Sequence, residues 1–172
     1  MRIELIEASP SDESRLANLT ELYVHDFSEI LEMAPGDDGR FGYRLSEYWT
    51  DSDRFPFLIR ADGSLAGFAL IGRGSVVTED PEVMDVAEFF VVRGLRRRGV
   101  GLAAAHQVFS RFAGPWEVRV MERNAPAIPF WERTVSTFSG GSFKSGPHTA
   151  GSDNRFLVFQ FSSAGSGPPV ID

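Results

Sequence analysis

Apolar and polar positions alternate weakly over Ile3 to Ile6, which predicts a first strand. Ser9-Pro10-Ser11-Asp12 then predicts a helix start, with Ser9 as N-cap, Pro10 in the first turn and Asp12 reaching back. Leu16, Leu19 and Leu22 recur at helical spacing and form one apolar stripe. His25 to Gly42 reads as irregular, broken by Pro35, Gly36 and Gly39, and a short helix is expected over Tyr43 to Trp49. Phe55 to Arg60 and Leu65 to Arg73 read as strands joined at the turn dipeptide Asp62-Gly63, a hairpin. Val83 to Val92 is a long strand, and Gly101 to Ala113 a helix with Leu102, Ala105, Phe109 and Phe112 on one face. Trp116 to Met121 is a strand, and a helical turn is expected near Ala125 to Thr134. Phe138 to Lys144 and Phe156 to Phe161 look like a closing antiparallel pair with a Gly- and Ser-rich loop between them.

The expected order is β-α-α-β-β-β-α-β-α-β-β. Strand–helix–strand in the middle implies one local parallel pairing, and the hairpins imply antiparallel edges. The fold class is therefore a mixed α/β domain, a central mixed sheet flanked by helices. At 172 residues the chain fits a single domain, placed at 1–161. Ser162 to Asp172, with glycines, prolines and serines, reads as a disordered tail.

Composition narrows the chemistry. Cysteine is absent, which excludes disulfides, thiolate metal sites and a cysteine nucleophile. The formal net charge of −7 argues against nucleic acid as a partner. Met1-Arg2-Ile3-Glu4 carries charge where a signal peptide would be apolar, and no apolar run is long enough to span a bilayer. A cytoplasmic protein without membrane partners is the expectation.

Against that acidic background, Arg93, Arg96, Arg97 and Arg98 cluster just before Gly99-Val100-Gly101, between a strong strand and a strong helix. Glycines let backbone approach a ligand, and a helix N-terminus offers free N–H groups and partial positive charge to a phosphate. A P-loop would need Gly-Lys-Ser/Thr, which is missing. Gly99 to Ala104 matches the dinucleotide fingerprint G-x-G-x-x-A, with Glu122 about 20 residues on. Too little chain follows Glu122 for the remaining strand–helix units, and that loop normally follows the first strand.

Arg96-x-x-Gly99-x-Gly101 resembles the R/Q-x-x-G-x-G/A signature of the GNAT superfamily of acyl-CoA-dependent N-acetyltransferases, and the resemblance extends over Arg2 to Phe161 in element order. It implies that the amides of Arg97, Arg98, Gly99, Val100, Gly101 and Leu102, with Arg96 and its neighbours, hold the CoA pyrophosphate, and that Phe90, Val91 and Val92 run beside pantetheine. Asn124-x-x-Ala127-x-x-Phe130-Trp131 resembles the family's N-x-x-A-x-x-F-Y segment, which implies cofactor contacts for these residues. Asn124 also suits a helix N-cap, and Pro129 predicts a late start or a kink. Trp131 stands where many members carry the tyrosine that protonates the departing CoA thiolate. An indole cannot act as an acid near neutral pH. Tyr23, Tyr43 or Tyr48 could supply that proton, or no protein group does.

Glu88 lies in the apolar run Val86 to Val92, where an inward-facing carboxylate has a raised pKa. The resemblance makes it the catalytic base; a salt-bridged or edge-facing glutamate is the competing reading. Tyr23, His25, Asp26, Glu29, Glu32, Asp37 and Asp38 would grip a cationic acceptor. His106 is expected to face solvent and His148 to sit in a loop. No histidines and carboxylates share metal-ligand spacing, so no metal is expected.

The resemblance thus implies direct transfer of an acetyl group from acetyl-CoA to a primary amine of a small molecule or peptide, in a ternary complex. A catalytically degenerate acyl-CoA-binding sensor or assembly module is the alternative that the missing tyrosine raises. An NAD(P)-dependent oxidoreductase is the alternative that the fingerprint raises. Aromatic residues near Trp131 and from Phe138 to Phe161 suit a homodimer interface.

Overall fold

The hairpins and the single parallel step build one seven-stranded sheet of order β1-β2-β3-β4-β5-β7-β6. The structure is a computed structural model, and it describes residues 1–151 and 154–165. The strands are β1 (Ile3–Glu7), β2 (Arg54–Ala61), β3 (Ser64–Arg73), β4 (Met84–Val91), β5 (Gly114–Met121), β6 (Phe143–Ala150) and β7 (Asn154–Ser163). The helices are α1 (Glu13–Leu31), α2 (Glu47–Thr50), α3 (Val100–Arg111) and α4 (Ala127–Ser139). Every neighbouring pair is antiparallel except β4 and β5. This mixed sheet matches the expected fold class and is not the parallel sheet of a dinucleotide domain. Glu122, the acidic residue of that alternative, forms an ion pair with Arg155 at 3.1 Å.

Side-chain alternation along the strands sends two cores to opposite faces. Phe57, Ala69, Met84, Val86, Val118 and Phe159 pack with Val108 and Phe109 of α3 and Trp131 and Val135 of α4. Leu58, Phe68, Leu70 and Phe90 pack with Leu16 and Leu19 of α1 and with Leu45 and Tyr48. A smaller cluster joins Ile59, Ala66 and Val91 to Val100 and Ala104 at the start of α3. The aromatics that suggested a dimer interface therefore belong to the core: Trp131, Phe159 and Phe161 are buried and Phe138 packs against them.

Several boundaries differ from the sequence pattern for physical reasons. The Ser9–Asp12 capping box forms around a 3-10 turn at Pro10–Asp12, and α1 starts after it. That helix then runs on into the first part of the stretch expected to be irregular, over His25 to Leu31, and ends at Glu32 with its left-handed φ of 53°; from there to Gly42 the chain is irregular as expected. Leu22 is exposed, and the inward stripe is instead Leu16, Leu19 and Tyr23. At the other end, α4 continues to Ser139, closed by left-handed Gly140 (φ 61°). The strand expected from Phe138 thus begins at Phe143. Ser145 to Ala150, read as loop, is an edge strand; an edge tolerates Pro147 because its missing N–H owes nothing to a neighbour. His148 lies on it opposite Phe156. Ser162 and Ser163 belong to β7, paired with Pro115 and Gly114. Residues 166–172 of the expected tail lie outside the described residues.

Candidate active site

The parallel pair β4–β5 holds register only from Met84↔Trp116 to Val86↔Val118. Beyond it the two strands line opposite sides of a cleft of about 960 Å³, with Glu88 to Val91 on one side and Arg119 to Met121 on the other. The tip of α1, the loop before α3 and the start of α4 complete its walls. A volume of that order suits a small-molecule site.

The loop before α3 has the geometry of an anion cradle. Arg97 (φ 60°) and Gly99 (φ 83°) are left-handed, which turns successive amides outward. Among the described residues, the amides of Arg97, Arg98, Gly99, Val100, Gly101 and Leu102 donate to no protein acceptor; the first such bond of α3 runs from the Ala103 amide to the Gly99 carbonyl at 3.0 Å. Free donors at the N-terminus of a twelve-residue helix fit a pyrophosphate. Gly101 sits under an aromatic wall, where a Cβ would stand 3.1 Å from Phe130 Cζ.

The arginines divide their work. Asp26 on α1 accepts from Arg93 Nε at 2.9 Å and also from Arg96, whose own Nε donates to the Val91 carbonyl at 2.7 Å. Burial opposes the Asp26 charge, but these hydrogen bonds outweigh it and hold the carboxyl below its ordinary value. Arg96 is therefore a brace between α1 and the end of β4. Among the described residues, Arg97 and Arg98 form no ion pair.

Backbone geometry also bears on the edge expected to lie beside pantetheine. The Val92 amide donates to the Ala66 carbonyl at 2.9 Å and is turned toward β3. Phe90 O points the same way, since a Cβ on Gly67 would stand 1.9 Å from it. By strand alternation, the groups facing the cleft are those of Phe89 and the Val91 amide. Phe90 and Val91 line the cleft and Val92 does not.

Glu88 points to the α1 face. Its Oε1 accepts from the Tyr43 hydroxyl at 3.0 Å, and its Oε2 accepts from the Tyr23 hydroxyl. Burial raises the Glu88 carboxyl above its ordinary value; the two hydroxyls and the charge of Arg119 pull the other way and only moderate the shift. Burial and the Glu88 charge likewise raise both tyrosines. Tyr48 is buried in the core beneath, pushed up to about 12 mainly by burial, and does not line the cleft. Tyr43 is held in place by a device absent from the sequence reading. Glu21, one turn before Val24 on α1, accepts the Phe41 and Gly42 amides at 2.7 and 3.0 Å and ties that loop back over the helix.

The next face of β4 carries Phe89, packed edge-on against Trp131 with ring centroids 5.1 Å apart. Asn124, Ala127, Phe130 and Trp131 all line the cleft. The N-cap of α4 is Pro126, and the Asn124 carbonyl accepts from the Ala127 amide at 2.9 Å. Pro129 falls in the first turn, where its missing N–H leaves no helical bond unmade.

Of the residues expected to grip an acceptor, Tyr23, Asp26 and Glu29 line the cleft. His25, Glu32, Asp37 and Asp38 do not; Asp38 accepts the Arg40 amide at 3.1 Å. His106 faces α4, with Nε2 3.0 Å from the Thr134 carbonyl, instead of solvent. Behind Glu88 lies a buried ion pair the sequence pattern gave no sign of. Arg119 donates Nε and a terminal nitrogen to Asp85 at 3.0 and 2.7 Å. Glu117 lies beside it, raised by burial and partly relieved by Ser75, which donates to it at 2.6 Å. Among the described residues no cluster of histidines and carboxylates could hold a metal, and no helix is long and apolar enough to cross a membrane.

Comparison with known proteins agrees with this geometry. The model of the acetyltransferase (GNAT) family matches residues 16–135. An uncharacterized N-acetyltransferase of Mycobacterium bovis is 27% identical over 110 residues, covering 61% of this chain and 67% of that one. An acetyltransferase from Thermus thermophilus shares the fold at a TM-score of 0.69 and 15% identity, covering 95% of this chain and 98% of that one. A Bacillus anthracis chain assigned as a streptothricin acetyltransferase, solved in complex with acetyl coenzyme A, does so at a TM-score of 0.56 and 12% identity, covering 95% and 99%. With the loop, the parted strands and the family model in agreement, the chain belongs to the GNAT family of acyl-CoA-dependent N-acetyltransferases, whose donor is acetyl-CoA.

Proposed function

We propose that this chain transfers the acetyl group of acetyl-CoA directly to a primary amine, within a ternary complex, with Glu88 as the base. One observation carries the reading. A carboxylate raised by burial and gripped by two tyrosine hydroxyls stands in the cleft that opens beside the loop of free amides.

The loop from Arg97 to Leu102 would hold the pyrophosphate, and the edge formed by Phe89 and the Val91 amide would lie along pantetheine. The thioester then arrives where β4 and β5 part, with the acceptor entering from the α1 face. Glu88 takes a proton from the ammonium, directly or through a water, and the free amine attacks the thioester carbonyl. The new C–N bond forms, the C–S bond breaks, and the electron pair leaves on the CoA sulfur. The ammonium loses two protons in all: one to Glu88, the other ending on the sulfur. Trp131 packs at this end of the cleft and supplies no acid. Tyr23 and Tyr43 are the hydroxyls nearest Glu88 and the only tyrosines in the lining. Tyr48 is too deep to take part.

The test pairs calorimetric titration of acetyl-CoA with an assay of thiol release over a panel of amines. Saturable binding, amine-dependent thiol release and loss of turnover in Glu88→Gln with binding retained are expected. Binding without transfer to any amine would instead support a sensor or assembly module.

A further inference from the structure

The wall of the cleft formed by the tip of α1 carries a run of apolar side chains, half-buried at first and exposed toward the end of the helix. Tyr23, Phe27 and Ile30 lie at i, i+4 and i+7 on α1, one face of the helix. Leu31, the last residue of α1, and Met33 beyond it continue that wall, 36% and 44% exposed. Of the six large apolar residues exposed to this degree among the described residues, these two sit at the lip of a site that ends on a buried carboxylate. In a chain of net charge −7, this wall holds only two acids, Asp26 and Glu29. Asp26 is neutralised by Arg93 and Arg96. Glu29 lines the cleft as well, exposed and, among the described residues, in no ion pair. Glu32 lies outside the lining. The acceptor half thus offers Glu88 at its floor, the exposed carboxylate of Glu29, and an otherwise apolar side wall.

We infer that the acceptor is a primary amine on an apolar skeleton, its ammonium at Glu88 and its carbon chain against Phe27, Ile30, Leu31 and Met33. This rests on the acetyl-transfer reading of the same cleft. A polyamine or aminoglycoside would bring several further cations to a wall whose one unpaired carboxylate is Glu29 and lose hydration along the rest of it. An aliphatic or aromatic amine covers the exposed apolar surface instead. Free amines and peptide N-termini that begin with a large apolar residue share this chemistry.

The test compares kcat/KM, by thiol release from acetyl-CoA, for isopentylamine and 2-phenylethylamine against ethanolamine, putrescine and spermidine. Leucyl and seryl dipeptide amides form a second arm. Apolar acceptors should exceed polar ones by about tenfold to a hundredfold, the worth of one well-buried apolar group. Met33→Asp and Leu31→Asp, at exposed positions, should cancel most of that preference through KM, with Tm within a few degrees of the parent confirming folding. Efficiency for putrescine, spermidine or ethanolamine equal to or above that for the apolar amines overturns the inference while leaving acetyl transfer intact. Transfer to no amine of either class, with acetyl-CoA still bound, overturns both. A leucyl peptide that outperforms isopentylamine upholds the inference with a peptide as source, and the reverse upholds it with a free amine.

Discussion

Tyr43 lies 45 residues before Glu88 in the chain and donates its hydroxyl to Glu88 Oε1 at 3.0 Å. Glu21 supports the contact by pinning the loop just before Tyr43 to α1 through the Phe41 and Gly42 amides. A donor to the carboxylate favours the charged form, so Tyr43 works against the burial that raises Glu88. In Tyr43→Phe the carboxyl should rise further. The acid limb of the kcat/KM–pH profile should then move to higher pH, with turnover recovered on the alkaline side. Glu21→Ala should move the limb the same way if its role is to hold Tyr43. An unmoved limb in both variants would mean that Glu88 does not titrate in the rate.

Glu88 sets function against stability. Its folded pKa is raised, so its contribution to stability is present below the ordinary carboxylate range and lost as pH climbs through the raised value. Above the raised value the folded chain carries a buried charge that the unfolded state hydrates freely. Glu88→Gln should therefore have the higher Tm at pH 8, with the gap closing toward pH 4. Its kcat should fall by about 10²- to 10⁴-fold, the usual worth of a positioned base. Thermal melts across pH alongside steady-state rates check both halves.

How far the pattern of residues carried the reading depends on range. The order of strands and helices was legible because each element's periodicity is local, and so was the loop at Arg96–Gly101, whose chemistry is contiguous. What depended on partners far along the chain was not. Asp26 read as a grip for a cationic acceptor, yet it braces Arg93 and Arg96, some seventy residues away. Arg96 read as a phosphate ligand and turned out to hold the Val91 carbonyl as well. The α1 tip read as irregular since Pro35, Gly36 and Gly39 lie close after it, but Tyr23, Phe27 and Ile30 at helical spacing were the available signal. The ion pair of Asp85 and Arg119 joins two strands whose parallel pairing is non-local, and nothing near either residue announces the other.

The two glycines of the loop should fail in different ways. Gly99 has φ of 83° and open space where a Cβ would go, so Gly99→Ala adds backbone strain alone, about 1–2 kcal/mol. Gly101 has no such φ, but its Cβ would press on Phe130, which packs against Phe89 and Trp131 in the cleft. Gly101→Ala should weaken acetyl-CoA binding with little loss of Tm, whereas Gly99→Ala should lower Tm. Melts and calorimetric titration of the pair separate the two effects, and equal behaviour in both would remove the steric argument.

The ion pair under the cleft makes the strongest demand on the fold. Asp85 is buried and receives both of its hydrogen bonds from Arg119, and Glu117 lies 3.8 Å from the same guanidinium. Removing the cation would leave two carboxylates close together out of water. Arg119→Met should therefore cost about 3–5 kcal/mol in urea unfolding, the range for a buried charge stripped of its partner. Asp85→Leu combined with Arg119→Met removes both charges of the pair and should lose much less than the two single changes added together. It also tests the link to Glu88. Arg119 lowers the Glu88 carboxyl and Asp85 raises it, so the single Arg119 variant should shift the acid limb upward and the double variant should bring it part of the way back. Simple additivity in unfolding, with the limb fixed in all three, would mean that Arg119 acts on neither Asp85 nor Glu88 in the folded chain.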